Sequence, residues 1–455
     1  MRQPVARATR RPPLQARTVV NWLAGAVCVG VLAYVMVGVA RQMLVPPPAL
    51  RLTLVRDVPL PSGLGATSAG TDDPLAPGVS VPFDRFDFQA YDPQTHKLFI
   101  AHTGPNPDKL AQNHISFTPA TDGHIVVFDT LRQQIVARVD IPHTSGMVAA
   151  SDLGKVFASD AVDNIVYAID ERSLAYKPIF VGANESPDAI SYDPRDHRIF
   201  VSDPGAPADP NKTANIDRRN QNLVVIDAQT NRVITKINIG SLPKLASERA
   251  PTLAGSELPT FGYDVGHSHY DDAQHRVFVV TQILPDADSP NPNVLPPAGT
   301  GELMAIDPLA ARVVQRTSLP PTCLNPHGMA LDTQQEVAFI ACVDIDPAHG
   351  IPANLARVDL RTMRVIPADP QTMRLAILPD IVTLDSTAHV LLVACRGGVS
   401  IFDERAGRFH WLGDYQLGKN THSLAIDEAT QYVYLPIEVG GRPVLRIAHY
   451  NVSGA

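Results

Sequence analysis

The apolar positions of this chain follow one recurring pattern. Short runs alternate apolar and polar residues, stop at an aspartate, turn, and resume as a more uniformly apolar run. Alternation with period two predicts a strand with one buried face, and a short continuous apolar run predicts a strand buried on both faces. Seven copies start near Phe86, Gly146, Pro187, Gly266, Pro326, Pro379 and Thr421. Their turn aspartates are Asp92, Asp152, Asp193, Asp271, Asp332, Asp385 and Asp427. Aspartate suits such turns because its side chain bonds backbone N–H groups just ahead of it. In six copies an aromatic residue or leucine lies seven positions after the aspartate: Phe99, Phe200, Phe278, Phe339, Leu392 and Tyr434; the second copy is two residues shorter.

A second strand–Asp–strand half follows each copy, clearest in NLVVIDAQTNRVITKINIG from Asn222. Each repeat therefore predicts four strands, a to d in chain order. Seven such units predict an all-β, seven-bladed β-propeller of four-stranded antiparallel blades. The last repeat ends one strand short, whereas residues 50–60 form an extra strand ahead of the first. That strand is expected to supply strand d of the seventh blade, so that the closed ring exposes no spare sheet edge. Segments such as NPHGMALD and NLVVIDAQTNRVITKINIG resemble the YVTN-repeat β-propeller family, over nearly all of residues 50–455. The resemblance implies a propeller of an exported or surface protein, in a family similar to propeller lactonases and electron-transfer propellers. It leaves function open, because one fold hosts many activities.

Ahead of the repeats, residues 1–18 carry five arginines and no acid, and residues 19–40 carry no charge at all. The uncharged stretch is long enough to cross a bilayer as one helix. The basic tail places the N-terminus in the cytoplasm and the propeller on the far side, periplasmic or extracellular. A cleaved signal peptide is the rival reading, with Gly38-Val39-Ala40 as its small-residue site. The apolar stretch exceeds the roughly 7–15 residues of a signal core, which favours a retained anchor. Residues 41–49, with Pro46-Pro47-Pro48, read as a stiff linker.

Composition narrows the classes further. Proline makes up 41 of 455 residues, which argues against a helical bundle, and 45% hydrophobic residues argue against a disordered chain. Removing the six arginines of residues 1–41 from the 38 basic residues leaves 32 against 46 acidic, a net of −14 for the remainder. An acidic body is a poor nucleic-acid binder.

The b–c and d–a connections of a propeller open on one face, here called the top. Residues 102–123, 203–221, 281–300 and 343–353 are long b–c insertions, and residues 241–262 form a long d–a one. All five are expected on the top, whereas the bottom turns are short. Strand a lines the central channel. Five residues before each repeat aspartate, near the top, stand Asp87, Met147, Asp188, Gly266, His327, Asp380 and His422, with His267 and His269 just beyond Gly266. Asp87, Asp188, His267, His269, His327, Asp380 and His422 are thus candidate ligand-binding residues. His327, Asp380 and His422 on consecutive blades form a two-imidazole, one-carboxylate set of the kind that takes a divalent transition metal. The plainer reading is a solvated channel lining. His102 and Asp203, at the ends of b strands, are candidates for a second layer. No nucleophile elbow, phosphate loop or zinc-protease motif is present.

Cys323 and Cys342 are a candidate disulfide, being the nearest top-side thiols of one blade, with Cys395 left over. Three small buried side chains are the alternative. Folding requires no cofactor at this length. The expectation is a membrane-anchored binding propeller that takes a protein or small-molecule ligand on its top face. The alternative is a metal-dependent enzyme, a lactone-type hydrolase or an oxidoreductase, at the channel mouth.

Overall fold

The computed structural model describes residues 49–61, 85–104, 123–205, 220–242, 261–285, 301–343, 352–368, 372–396, 398–404, 409–418, 421–440 and 442–453. The expected anchor, residues 19–40, lies outside them, as do most of the five long insertions. Among the described residues no helix is long and apolar enough to cross a membrane.

Residues Leu50–Val452 form one compact unit of seven four-stranded antiparallel sheets. Blade 1 comprises Arg85–Asp92, Lys97–Gly104, His124–Asp129 and Gln134–Val139. Blade 2 comprises Thr144–Ala150, Lys155–Asp160, Ile165–Asp170 and Tyr176–Phe180. Blade 3 comprises Ile190–Asp193, Arg198–Asp203, Asn222–Asp227 and Arg232–Asn238. Blade 4 comprises Phe261–Asp271, Arg276–Pro285, Gly301–Asp307 and Arg312–Ser318. Blade 5 comprises Pro326–Asp332, Val337–Cys342, Asn354–Asp359 and Arg364–Val365. Blade 6 comprises Pro379–Asp385, Val390–Cys395, Gly398–Asp403 and His410–Tyr415. Blade 7 takes Ala425–Asp427, Tyr432–Val439 and Arg442–Ser453 from the chain end and Ala49–Pro59 as its outer strand. The ring closes as the unpaired first strand predicts. Arg446 fixes the closure by a two-toothed contact with Asp57, at 2.8 and 2.7 Å.

Burial follows strand position. The b strands carry continuous apolar runs buried on both faces, as in Val390–Cys395. The outer strand Gln134–Val139 alternates exposed and half-buried residues, because only one of its faces meets the next blade. Seven apolar clusters fill the seven blade junctions. The repeat aromatics Phe99, Phe200, Phe278, Phe339 and Tyr434 are fully buried there, with Leu392. Phe157 fills the same place in the shorter second blade, opposite Val148.

The bottom turns explain both the aspartates and many histidines. Asp193 accepts the N–H groups of Arg195 and Asp196 at 2.9 and 3.1 Å, and Asp332, Asp385 and Asp227 do the same in their turns. The residue four after the aspartate then adopts a left-handed conformation: His96, His197, His275 and His389 have φ of 50–54°. Histidine tolerates this region better than most residues, so four of the fifteen histidines serve turn geometry. Asp152 departs from the pattern. Its turn is a short 3-10 helix, Ser151–Leu153, and its carboxylate accepts the Tyr192 hydroxyl at 2.9 Å instead. Basic residues at the start of b strands reach the next blade's c–d turn: Lys97 to Glu171 O, Lys155 to Ala228 O and Arg198 to Pro308 O.

Candidate functional site at the channel mouth

Strand a does not run regularly at the top. In blades 1, 2, 4, 5 and 6 two of its residues face one on strand b: the pairs are Phe86↔His102 then Gln89↔Ile100, Thr144↔Asp160 then Met147↔Ala158, Val265↔Thr281 then Ser268↔Val279, Pro326↔Cys342 then Met329↔Ile340, and Pro379↔Cys395 then Val382↔Val393. These are β-bulges, which re-aim side chains. The bulged pairs are Asp87-Phe88, Ser145-Gly146, Gly266-His267, His327-Gly328 and Asp380-Ile381, so the ring residues sit on the bulges. In blade 2 the bulge register puts Ser145, rather than the expected Met147, at the ring position.

Glycine lets neighbouring bulges touch backbone to backbone. A Cβ on Gly328 would lie 1.6 Å from the Asp380 carbonyl oxygen, one on Gly146 would lie 1.9 Å from that of Asp188, and one on Gly266 would lie 3.0 Å from that of His327. Serines on b strands hold two junctions at this level, between blades 2 and 3 and between blades 3 and 4. Ser159 Oγ donates to Asp188 O at 2.7 Å, and Ser202 Oγ donates to Gly266 O at 2.5 Å.

The result is a cluster drawn from five blades. His422 Nε2 lies 2.9 Å from Asp380 Oδ2 and 3.4 Å from Asp87 Oδ1. Asp380 Oδ1 in turn lies 3.6 Å from His267 Nε2 and 3.8 Å from His327 Nε2. The His267 ring packs between Phe88 and His327, with centroids 4.8 and 4.9 Å away. His267 is buried, at 2% exposure, whereas the His327 and His422 side chains are each 34% exposed. His267 Nε2 and Asp380 Oδ1 are buried and have no hydrogen-bond partner among the described residues.

The electrostatics sort the histidines into two kinds. Burial disfavours charge on His422, yet the Asp380 and Asp87 carboxylates outweigh it and raise its pKa to about 10. His422 is therefore an imidazolium at neutral pH. Burial, together with His327, pushes His267 down to about 3 and leaves it a neutral imidazole. Burial lowers His269 to about 4, partly offset by its hydrogen bond with the Met329 backbone. Burial alone would raise Asp380, but His422, His327 and His267 together hold it well below the usual carboxylate range.

The candidate residues thus divide. Asp87, His267, His327, Asp380 and His422 come together at the mouth. Asp188 gives its backbone to the blade 2–3 contact. His102 pairs with His124, Nδ1 to Nδ1 at 3.2 Å, and Asp203 accepts the N–H groups of Ser186 and Gly205 at 2.7 and 3.0 Å. Of the three expected metal ligands, His327 and Asp380 stand with His267 in one group whose donor atoms lie within 4.8 Å of each other, while His422 bonds the far oxygen of Asp380. Among the described residues two other groups reach that spacing, His143 with Asp160 and Asp163, and Asp193 with Asp196 and His275. Cys323 and Cys342 form a disulfide, with Cα atoms 4.9 Å apart, and Cys395 is a buried thiol that burial pushes up to about 12. Phe88 and the glycines went unread in the sequence. The signal for the glycines is the small residue in three of the five bulged pairs, Ser145-Gly146, Gly266-His267 and His327-Gly328.

No protein-family model and no curated protein matches the chain. Among solved structures, a chain of hydrazine synthase from Kuenenia stuttgartiensis is similar, at 12% identity and a TM-score of 0.57. The match covers 83% of this chain and 99% of that one. Identity this low shows the fold alone.

Proposed function

We propose that this chain is a membrane-anchored, extracytoplasmic propeller of the YVTN-repeat type that binds a polar ligand or partner group at its top channel mouth, without turnover. The observation that supports this most is the facing pair of buried, unpartnered polar atoms, His267 Nε2 and Asp380 Oδ1. Buried polar groups are normally satisfied, and an orphaned pair in a channel mouth is what a ligand would satisfy. The His422 imidazolium between two carboxylates fixes the floor of the site, and half-exposed His327 gives a ligand access. The metal-dependent enzyme would use the same mouth, with His267, His327 and Asp380 as its donors.

The test compares the full chain, extracted from membranes in detergent, with a His327→Ala/His422→Ala variant. Both are screened by thermal shift against carboxylic acids, amines, sugars and nucleotides in the presence of a chelator. Compounds that raise the melting temperature of the parent but not of the variant are expected. Hits that stabilise both equally would move the site away from the ring, and recovery of the native chain in an osmotic-shock supernatant would remove the anchor.

A further inference from the structure

Resting on that reading of the mouth, we propose that the group it holds is a divalent transition-metal ion, bound by His267, His327 and Asp380 and keeping open positions for water or a ligand. The spacing argues for an ion over a water molecule. A water held at about 2.8 Å from each of two polar atoms, near its tetrahedral angle, separates them by about 4.4 Å. An ion bonded to nitrogen and oxygen at about 2.0–2.1 Å in tetrahedral geometry separates them by about 3.4 Å. The observed 3.6 and 3.8 Å lie on the side of the ion. A direct imidazole–carboxylate hydrogen bond would bring the atoms below about 3.2 Å, and neither histidine does so.

The donor chemistry agrees. Two imidazoles and one carboxylate with vacant positions suit iron, zinc or cobalt in the divalent state. Outer contacts are in place as well. His422 donates to the oxygen of Asp380 that faces away from the other two histidines, and Asp87 backs His422. Such partners orient metal ligands. The two other donor groups lack this arrangement. In the bottom-turn group His275 Nε2 already bonds Asp196 at 2.7 Å; in the blade 2 group His143 Nδ1 and Asp160 Oδ2 are also buried without a hydrogen-bond partner among the described residues, but the set offers a single imidazole and its third donor, Asp163, is exposed.

The experiment uses the full chain without a histidine tag, in detergent, stripped with chelator and titrated with Co2+ and then Zn2+. The readouts are the visible spectrum of bound Co2+ and metal content after gel filtration. One ion per chain is expected, with a nitrogen-ligand Co2+ spectrum that Zn2+ abolishes. Asp380→Asn and His327→Ala should each weaken binding at least 100-fold, His422→Ala about 10-fold, and Asp160→Asn not at all. Circular dichroism checks folding, and because His327 is one-third exposed its alanine variant tests the site without emptying the core. A parent chain that takes no Co2+, or takes it equally after His327→Ala, overturns the metal. If organic ligands still bind in chelator, the binding reading survives; if they do not, both fall together.

Discussion

Replacing Gly328 by alanine adds one methyl group at the closest point of the propeller. Its φ is ordinary, so alanine is excluded there by space alone. The new Cβ would lie 1.6 Å from the Asp380 carbonyl oxygen and 2.7 Å from the carbonyl carbon. Both partners are backbone, so no side chain can swing away. Restoring a contact of about 3.2 Å requires blades 5 and 6 to part by roughly 1.6 Å at the mouth, and overpacking on this scale costs about 1–3 kcal/mol or more. For a chain of this size that is a fall of roughly 1–3 °C in melting temperature. The functional cost is sharper. Asp380 would carry Oδ1 away from His327 and His267, whose present spacings leave little slack. Co2+ or ligand affinity should fall at least tenfold in a variant that still folds. The control is Gly154→Ala, where nothing lies within 4 Å of the added carbon, although φ is +59°. That variant should lose about 1 kcal/mol through backbone strain and keep its binding. A Gly328→Ala chain that melts within 1 °C of the parent and binds equally well would refute the close approach and the convergence built on it.

Two further outcomes follow from the fold. Deleting residues 50–60 removes the outer strand of blade 7 and the buried Val58 and Leu60; these two side chains alone account for roughly 3–6 kcal/mol, so the deletion should aggregate or melt far below the parent, and unchanged melting would break the ring-closure argument. Glu171 is buried against Asp92, and burial raises its pKa to about 7. A raised carboxyl stabilises the fold fully below its unfolded pKa of about 4.5 and loses that contribution as pH rises through 7. Glu171→Gln should therefore flatten the loss of melting temperature between pH 5 and pH 8, and identical pH profiles for variant and parent would discount the buried proton.

The blades were legible because their signals are local. Alternation, the aspartate that caps its own turn, and the buried aromatic seven positions later all lie within one repeat. Ring closure was legible by counting, since one strand at the start stood without a blade and the last blade was one strand short. The mouth was only half legible. Spacing from Asp332, Asp385 and Asp427 located His327, Asp380 and His422, because each stands five residues before its aspartate. The same count failed in blade 2, where the 3-10 turn shortens the repeat and puts Ser145 at the mouth. It also could not show that His267, one position past the count, shares a site with Asp380. Which bulged residue turns inward depends on cross-blade contacts, such as Phe88 against His267, and those join residues far apart in the chain.

The two ends of strand a divide structural work from binding work. At the bottom most repeat aspartates accept backbone N–H groups of their own turn through one oxygen, and in four turns a histidine takes the left-handed position that follows, so much of the hydrogen bonding there closes locally. At the top a bulge in blades 1, 2, 4, 5 and 6 leaves two residues outside the regular ladder, and Gly146, Gly266 and Gly328 let the next blade approach. The side chains carried there turn toward neighbouring blades. They meet instead across blades 1, 4, 5, 6 and 7, where the imidazolium of His422 ties Asp380 to Asp87 and leaves His267 facing the other oxygen of Asp380 without a hydrogen bond. Single oxygens of Asp193 and Asp271 at the bottom are also buried without a hydrogen-bond partner among the described residues, so the mouth is set apart by an orphaned oxygen that faces an orphaned imidazole nitrogen 3.6 Å away. In the ring that pair is fixed by seven packed junctions, so the relief has to come from what binds.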